Sequence, residues 1–304
     1  MFLVARGSRS RLGQFQRKVE IAHKILLEEL ESMSLQAYTK SLLDPFDKGM
    51  SQPKLLDGKV QRSSGIRLRA TGEITCNQAG STYIALIPGV SNVLTWRVDD
   101  DQTIPEHTAP PFQGHLDSVP DRANIKAVRT VGAALRLSLV NSADQNEGYW
   151  EAARIPTCAI DFKFNEPDPA GAPGVTDSTV SMNLGNLDLS NYQTYLTGKL
   201  RDIHRYQFKL NAIDNDINFQ RCIAEPPTVE SFVSEQWDTI IIKVHGRVEV
   251  GAPSMMMYDC ISAQEVIYKE NTALARLMST SPYVPQTKSL LTRTRFNPPG
   301  VQIS

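Results

Sequence analysis

Catalytic signatures are missing from this chain. It has no GxxxxGKS/T, no GxGxxG after a strand, no HExxH and no GxSxG. These absences argue against P-loop phosphate chemistry, dinucleotide binding, zinc proteolysis and serine hydrolysis. The five histidines (His23, His107, His115, His204, His245) are scattered. His107 and His115 share a loop with Asp117 and Asp121, but the spacing fits no familiar metal-ligand pattern. A cupin-type enzyme would need a clustered His/Glu set, which is absent. The four cysteines (Cys76, Cys158, Cys222, Cys260) form no CxxC pair, which argues against a zinc or redox motif. They read as reduced, buried thiols of a protein folded inside a cell. No run of 18 apolar residues exists, so no membrane-spanning helix is predicted. The apolar start, Met1 to Ala5, is too short for a signal peptide. With 41% hydrophobic and 21% charged residues, the composition is that of a globular protein. Its 304 residues suffice for one large β domain or two average ones.

Acid is missing from both ends. Residues 1–19 carry Arg6, Arg9, Arg11, Arg17 and Lys18 with no carboxylate, and residues 271–304 carry Arg276, Lys288, Arg293 and Arg295, again with none. All 33 acids therefore fall between, with 23 bases, so the middle stands at −10 and the two ends together at +9. A net charge of −1 hides this sorting. Basic ends on an acidic body point to a polyanion held by the ends, because cations attract phosphate backbones without reading sequence. Arg6, Arg9, Arg11, Arg17 and Lys18 are the first nucleic-acid contacts expected, with Arg293 and Arg295 after them.

The periodicity changes once along the chain. Phe15, Val19, Ala22, Leu26, Leu30 and Met33 form one apolar stripe at helical spacing, which predicts an amphipathic helix that packs on its own domain or a neighbour. From residue 66 the period is two. Ile66, Leu68, Ala70, Ile74 and Cys76 alternate with Arg67, Arg69, Thr71, Glu73 and Thr75. Residues 127–139 and 240–250 repeat the pattern, and 94–98 and 206–210 are shorter examples. Further strand candidates are 81–87, 148–154, 158–164, 192–200 and 255–261. No helices intervene, so a parallel sheet is not expected. The reading is all-β: a single eight-stranded antiparallel jelly-roll sandwich, with an N-terminal amphipathic helix and arm and an extended C-terminal tail. Its parts are a basic arm and helix over 1–58, a shell domain over 59–270 and a basic tail over 271–304.

Three connections are long and rich in turn residues, at 99–124, 165–190 and 211–236. Loops of that length in a compact domain are usually functional. Two hold acidic runs, Asp99-Asp100-Asp101 and Asp214-Asn215-Asp216. Their oxygens suit calcium, though neither run fits an EF-hand loop. A calcium ion shared between subunits at Asp214 and Asp216, or at Asp99, Asp100 and Asp101, would relieve repulsion between acidic bodies. Solvated turn residues are the plainer account of both runs. On residues alone, a lectin-like ligand-binding sandwich is the alternative reading, although loop aromatics such as Phe112 and Phe232 are few. A basic strand face would mark a sandwich that binds nucleic acid as a monomer, and only Arg67 and Arg69 approach one.

Two blocks carry a resemblance. Leu42-Leu43-Asp44-Pro45-Phe46, followed by Pro53-Lys54-Leu55-Leu56-Asp57-Gly58, resembles the lead-in to the shell domain of small non-enveloped virus capsid proteins. Ala127-Val128-Arg129-Thr130-Val131-Gly132-Ala133-Ala134-Leu135-Arg136-Leu137, followed by Asn146-Glu147-Gly148-Tyr149-Trp150-Glu151-Ala152-Ala153-Arg154, is similar to a strand, turn and Gly-aromatic strand in nodavirus-like coat proteins. Bacilladnaviruses, the single-stranded DNA viruses of diatoms, carry coat proteins of this type. The resemblance covers roughly residues 40–270. It implies a non-enzymatic jelly-roll subunit that assembles with copies of itself into an icosahedral virion shell, inside the host cell, around a single-stranded DNA or RNA genome. Nothing in the sequence identifies a host receptor.

Overall fold

The computed structural model describes residues 35–36, 38–39, 45–47, 54–58, 61–77, 81–89, 93–97, 103–104, 107–108, 124–141, 147–160, 162–164, 180–183, 187–214, 216–221, 233–246, 253–281, 283–284 and 299–302. The amphipathic stripe of residues 15–33 lies outside them. Fifteen strands are described. They are β1 (Ser64–Thr75), β2 (Ser81–Leu86), β3 (Leu94–Arg97), β4 (Thr103–Ile104), β5 (His107–Thr108), β6 (Ile125–Leu139), β7 (Tyr149–Pro156), β8 (Phe162–Phe164), β9 (Val180–Asn183), β10 (Leu196–Lys199), β11 (Tyr206–Lys209), β12 (Gln220–Arg221), β13 (Asp238–His245), β14 (Met255–Tyr268) and β15 (Gly300–Gln302).

Eight of these strands nest. In chain order they are β1, β2, β6, β7, β10, β11, β13 and β14. The first pairs with the eighth, the second with the seventh, the third with the sixth and the fourth with the fifth, all antiparallel. One sheet runs β1-β14-β6-β11-β15, with β12 also on β6, and the other runs β10-β7-β13-β2-β3-β5. This nested pairing is the jelly roll that the strand count and turn spacing predict. A third, small sheet, β4-β9-β8, comes from the long connections, which are therefore not wholly irregular.

Alternation explains which side chains meet. Leu68, Ala70 and Ile74 of β1 face Leu135 and Leu137 of β6 and Ile240, Ile242 and Val244 of β13 in one core. Trp150 and Trp237 are fully buried there, and Trp150 meets Tyr206 and Phe208 edge-on at 4.9 and 5.5 Å. Edge-to-face contact is the arrangement that ring quadrupoles favour. β13 departs from simple alternation. Ile241 is also buried, in a second cluster with Ala85, Ala153, Ile155 and Leu189 on the far side of its sheet. The segment 187–195 covers that side, so residues 240–242 read as a continuous apolar run.

Several boundaries differ from the sequence reading. Residues 157–159 form a 3-10 helix, and only 162–164 of the 158–164 candidate are strand. Of 192–200, only Leu196–Lys199 is strand, and a 3-10 helix follows over Leu200–Arg205. β14 runs on to Tyr268, past a bulge between Ala263 and Gln264. Cys76 and Cys260 are buried free thiols as expected, but Cys158 is exposed on its 3-10 turn. Burial pushes the Cys76 thiol up to about 12.

Candidate nucleic-acid interface

The lead-in and the exit of the shell domain meet at one corner. Ser63 and Ser279 exchange both backbone hydrogen bonds, at 3.0 and 2.9 Å. Asp57 bridges Tyr283, and the Val284 N–H donates to the Leu56 carbonyl at 2.9 Å. Lys54 reinforces the junction: its Nζ donates to Ser279 O at 3.0 Å, to Ser279 Oγ at 2.7 Å, and to Ser63 O. Partial burial lowers the pKa of that ammonium. Gly58 turns the chain here with φ of +67°, and a Cβ at this position would sit 2.5 Å from the Tyr283 Cβ.

A buried ion network pins the corner from beneath. Arg129 on β6 and Glu265 on β14 are each 1% exposed. Arg129 Nη2 lies 2.7 Å from Glu265 Oε2, and Nη1 lies 2.5 Å from Asp57 Oδ2. Glu265 also accepts from the Leu55 N–H at 3.1 Å and from the Ser63 hydroxyl. Two buried charges outweigh their desolvation only when remaining donors and acceptors are filled. Here most of the filling groups come from residues 55–63, and the Ile217 carbonyl and the Ser281 hydroxyl add to them at 3.1 and 3.4 Å. Tyr38 is buried nearby; burial raises its phenol, and Arg129 acts in the opposite sense.

The outer face of the first sheet is basic. Cross-strand partners share a face. Arg136 stands opposite Asp259 on one side and Gln207 on the other, and Asp259 stands opposite Thr71. Arg67, Arg69, Arg136 and Lys209 therefore share one face with Glu73 and Asp259, and Glu265 joins that face where the lead-in covers it. Arg69 forks onto Asp259 at 2.8 and 2.7 Å. The segment 45–47 lies on this face. Pro45 accepts from Arg67, Arg136 sits 4.1 Å from the Phe46 ring centre, and Phe46 packs on Ala134 and Ile261. Arg67 and Arg69 are visible in the sequence as an alternating strand. Arg136 and Lys209 join them only through the strand order.

Arg6, Arg9, Arg11, Arg17, Lys18, Arg293, Arg295, Asp99, Asp100 and Asp101 lie outside the described residues. Asp214 and Asp216 are brought together, in a turn. Asp214 Oδ1 accepts from the Asp216 N–H at 3.1 Å, and Gln236 closes the loop on Asp216 O at 2.6 Å and on the Asn218 N–H at 2.8 Å. This is an aspartate bonding its own backbone two residues on, which gives the pair a turn-forming role. Among the described residues no group of three or more His, Cys, Asp or Glu could hold a metal. A calcium ion shared between subunits at Asp214 and Asp216 would make chelator lower the melting temperature of assembled wild-type particles but not of Asp214→Asn/Asp216→Asn, as differential scanning fluorimetry with and without calcium would show.

His245, read as a solvent-facing strand residue, is more engaged than that. It stacks on Tyr149 at 4.1 Å, accepts from or donates to Ser81 Oγ at 3.1 Å, and lies 3.1 Å from Glu151. Burial and then Lys243 lower its pKa, against the pull of Glu151. A depressed histidine keeps its full contribution above the unfolded value of about 6.5 and loses it as pH falls through the folded one. Subunit stability should thus drop on acidification below that value. His245→Gln should flatten the drop in urea titrations run between neutral and mildly acidic pH.

Two nested antiparallel sheets, with the lead-in and the exit of the block joined at one corner, define the class: a single jelly-roll viral coat subunit. The chain belongs to the Shotokuvirus capsid protein family, whose family model matches residues 33–226 and 220–300. It is 26% identical over 294 positions to the capsid protein of Avon-Heathcote Estuary associated kieseladnavirus, covering 78% of this chain and 80% of that one. With the capsid protein of Chaetoceros diatodnavirus 1 the identity is 24% over 284 positions, covering 75% and 72%. Among solved structures, infectious bursal disease virus strain Gx aligns over 84% of this chain and 92% of that one, with a TM-score of 0.50 at 10% identity, which shows a shared fold. The protein is a non-enzymatic structural component of the virion that associates with copies of itself. The lectin-like alternative falls with this assignment.

Proposed function

We propose that the subunit closes into an icosahedral shell inside the host cell and holds a single-stranded genome by its two basic ends. In this reading residues 1–58 are the arm, 59–270 the shell block and 271–304 the tail. The observation that supports it is the corner. The lead-in at 54–63 and the exit at 279–284 run side by side, which supports a reading in which the arm and the start of the tail leave the shell block from one region, the tail then returning to pair Gly300–Gln302 with β11. Like charge gathered there attracts a polyanion more strongly than two separate tails would. Arg67 of the basic face stands on β1, the strand that starts at this corner.

Deleting residues 1–19 is the test. Every phosphate that no longer meets a cation should lower the log–log salt slope of binding by about 0.7 for single strands, so five of them lower it by roughly 3.5. Nucleic acid recovered from purified particles should fall in parallel. Particles with unchanged nucleic-acid content and salt dependence would refute the role given to the arm. A monodisperse monomer in size-exclusion chromatography at every pH and salt, with or without nucleic acid, would refute closure.

A further inference from the structure

A pocket of about 710 Å³ opens at the same corner. Its lining includes Arg62 from the lead-in, Lys126 at the start of β6, Phe219, Tyr268 at the end of β14, and Glu270. A contiguous cavity shares Arg62 and Glu270 and adds Arg276. The combined lining holds three cations against one carboxylate, within a body whose overall charge is strongly negative. Its size falls in the range of roughly 300–1,000 Å³ typical of sites for small organic groups. Its floor is apolar and aromatic, and its rim is cationic. Lys126 and Arg276 are exposed. Arg62 donates Nε and Nη2 to the Met278 carbonyl at 3.2 and 2.7 Å, which fixes its guanidinium at the rim.

Those two layers match the two halves of a nucleotide. An aromatic ring offers a stacking platform that every base can use, and cations at the edge take the phosphate. Arg presents several donors in a plane suited to phosphate oxygens. We propose that this pocket seats one nucleotide of a packaged single strand, with the base against Phe219 and the phosphate toward Arg62, Lys126 and Arg276. The site rests on the packaging reading above and gives it a fixed point on the folded body. Position supports this occupant over a second protein copy. Arg62 lies between Asp57 and Ser63, and Arg276 lies just before Ser279, so the pocket stands where the two basic ends arrive and leave.

Photo-cross-linking of full-length wild-type protein to an oligothymidylate carrying 5-iodouracil tests the site directly. Peptide mapping should find adducts on Phe219 or Tyr268, and excess free thymidine monophosphate should barely reduce them. Adducts confined to residues 1–19 and 285–298 would overturn the pocket and leave the arm reading standing. Adducts in the pocket alone would do the reverse. Full competition by the free nucleotide would assign the pocket to soluble nucleotides and overturn the proposal. Lys126→Ala/Arg276→Ala alters two exposed side chains. It should lower the salt slope by about 0.7, for the one phosphate the pocket holds, measured by fluorescence anisotropy of the same oligonucleotide. An unchanged slope with impaired shell assembly would make the pocket a subunit contact instead.

Discussion

Replacing Glu265 by alanine should destabilise the subunit by about 3–5 kcal/mol, the usual effect of leaving a buried charge without its partner. Arg129 would keep one carboxylate, Asp57, which is 16% exposed, and the Leu55 N–H and Ser63 hydroxyl would lose their acceptor. The measurable sign is a lower urea midpoint for the unassembled subunit. A second sign separates this from general loosening. Protease should cut within residues 1–58 well before it cuts the sheets, because the network fastens the lead-in to β6 and β14. The paired change Arg129→Met/Glu265→Leu should recover part of the loss, since apolar groups of similar volume often replace buried ion pairs at little cost. It should not recover the protease resistance, because Asp57 would no longer grip the Arg129 guanidinium. Equal midpoints for wild type and Glu265→Ala would show that the lead-in is held by its backbone pairing alone.

Gly148→Ala should be nearly as damaging, by about 3 kcal/mol or more, through backbone strain. Gly148 has φ of +118°, and a Cβ there would lie 2.3 Å from the His245 carbonyl oxygen. The obstacle is backbone of the neighbouring strand, so no rotamer change relieves it. Gly148 O also accepts from the Leu200 N–H at 3.0 Å, so a shift breaks the turn into β7 as well. Gly132→Ala is the control: its added methyl meets nothing within 4 Å and its φ is ordinary. It should leave the midpoint within about 0.5 kcal/mol of wild type, as surface changes usually do. If both alanines behaved alike, strain at Gly148 would not be the cause.

Much of the sandwich is legible because several of its strands alternate. Residues 66–76 name their core face on sight, whereas in β6 residues 127–131 are all buried and the register shifts opposite Ala263 and Gln264. The sequence reading ends β14 too early, because Ser262, Gln264 and Glu265 look like the end of an apolar strand. They are buried polar residues with partners far off in sequence, Gly89 for Gln264 and Arg129 for Glu265. Residues 240–242 defeat alternation for the opposite reason, since segment 187–195 covers their second face. The candidate interface is half legible. The charge of the ends is local and can be counted. The corner depends on Ser63 meeting Ser279, and the basic face on β6 lying between β14 and β11. Neither leaves a trace in a window of neighbouring residues. The turn at Asp214 is legible for a local reason: an aspartate two residues before an N–H is placed to bond it, as Asp214 does with Asp216.

The nesting of the strands also sets an order of events during synthesis. Ser64 pairs with Val266, so the outermost pair of the nest cannot form until residue 266 has left the ribosome. Pairings of such long range fold slowly, because loop closure must come before the contacts that reward it. Until then β1 offers an open edge, and the lead-in lacks β14, the strand that supplies Glu265. The lead-in is made first, yet the corner that joins it to the exit is completed last. A nascent chain therefore lacks the joined lead-in and exit until β14 has been made. Translation order thus delays the finished corner until nearly the whole shell block exists.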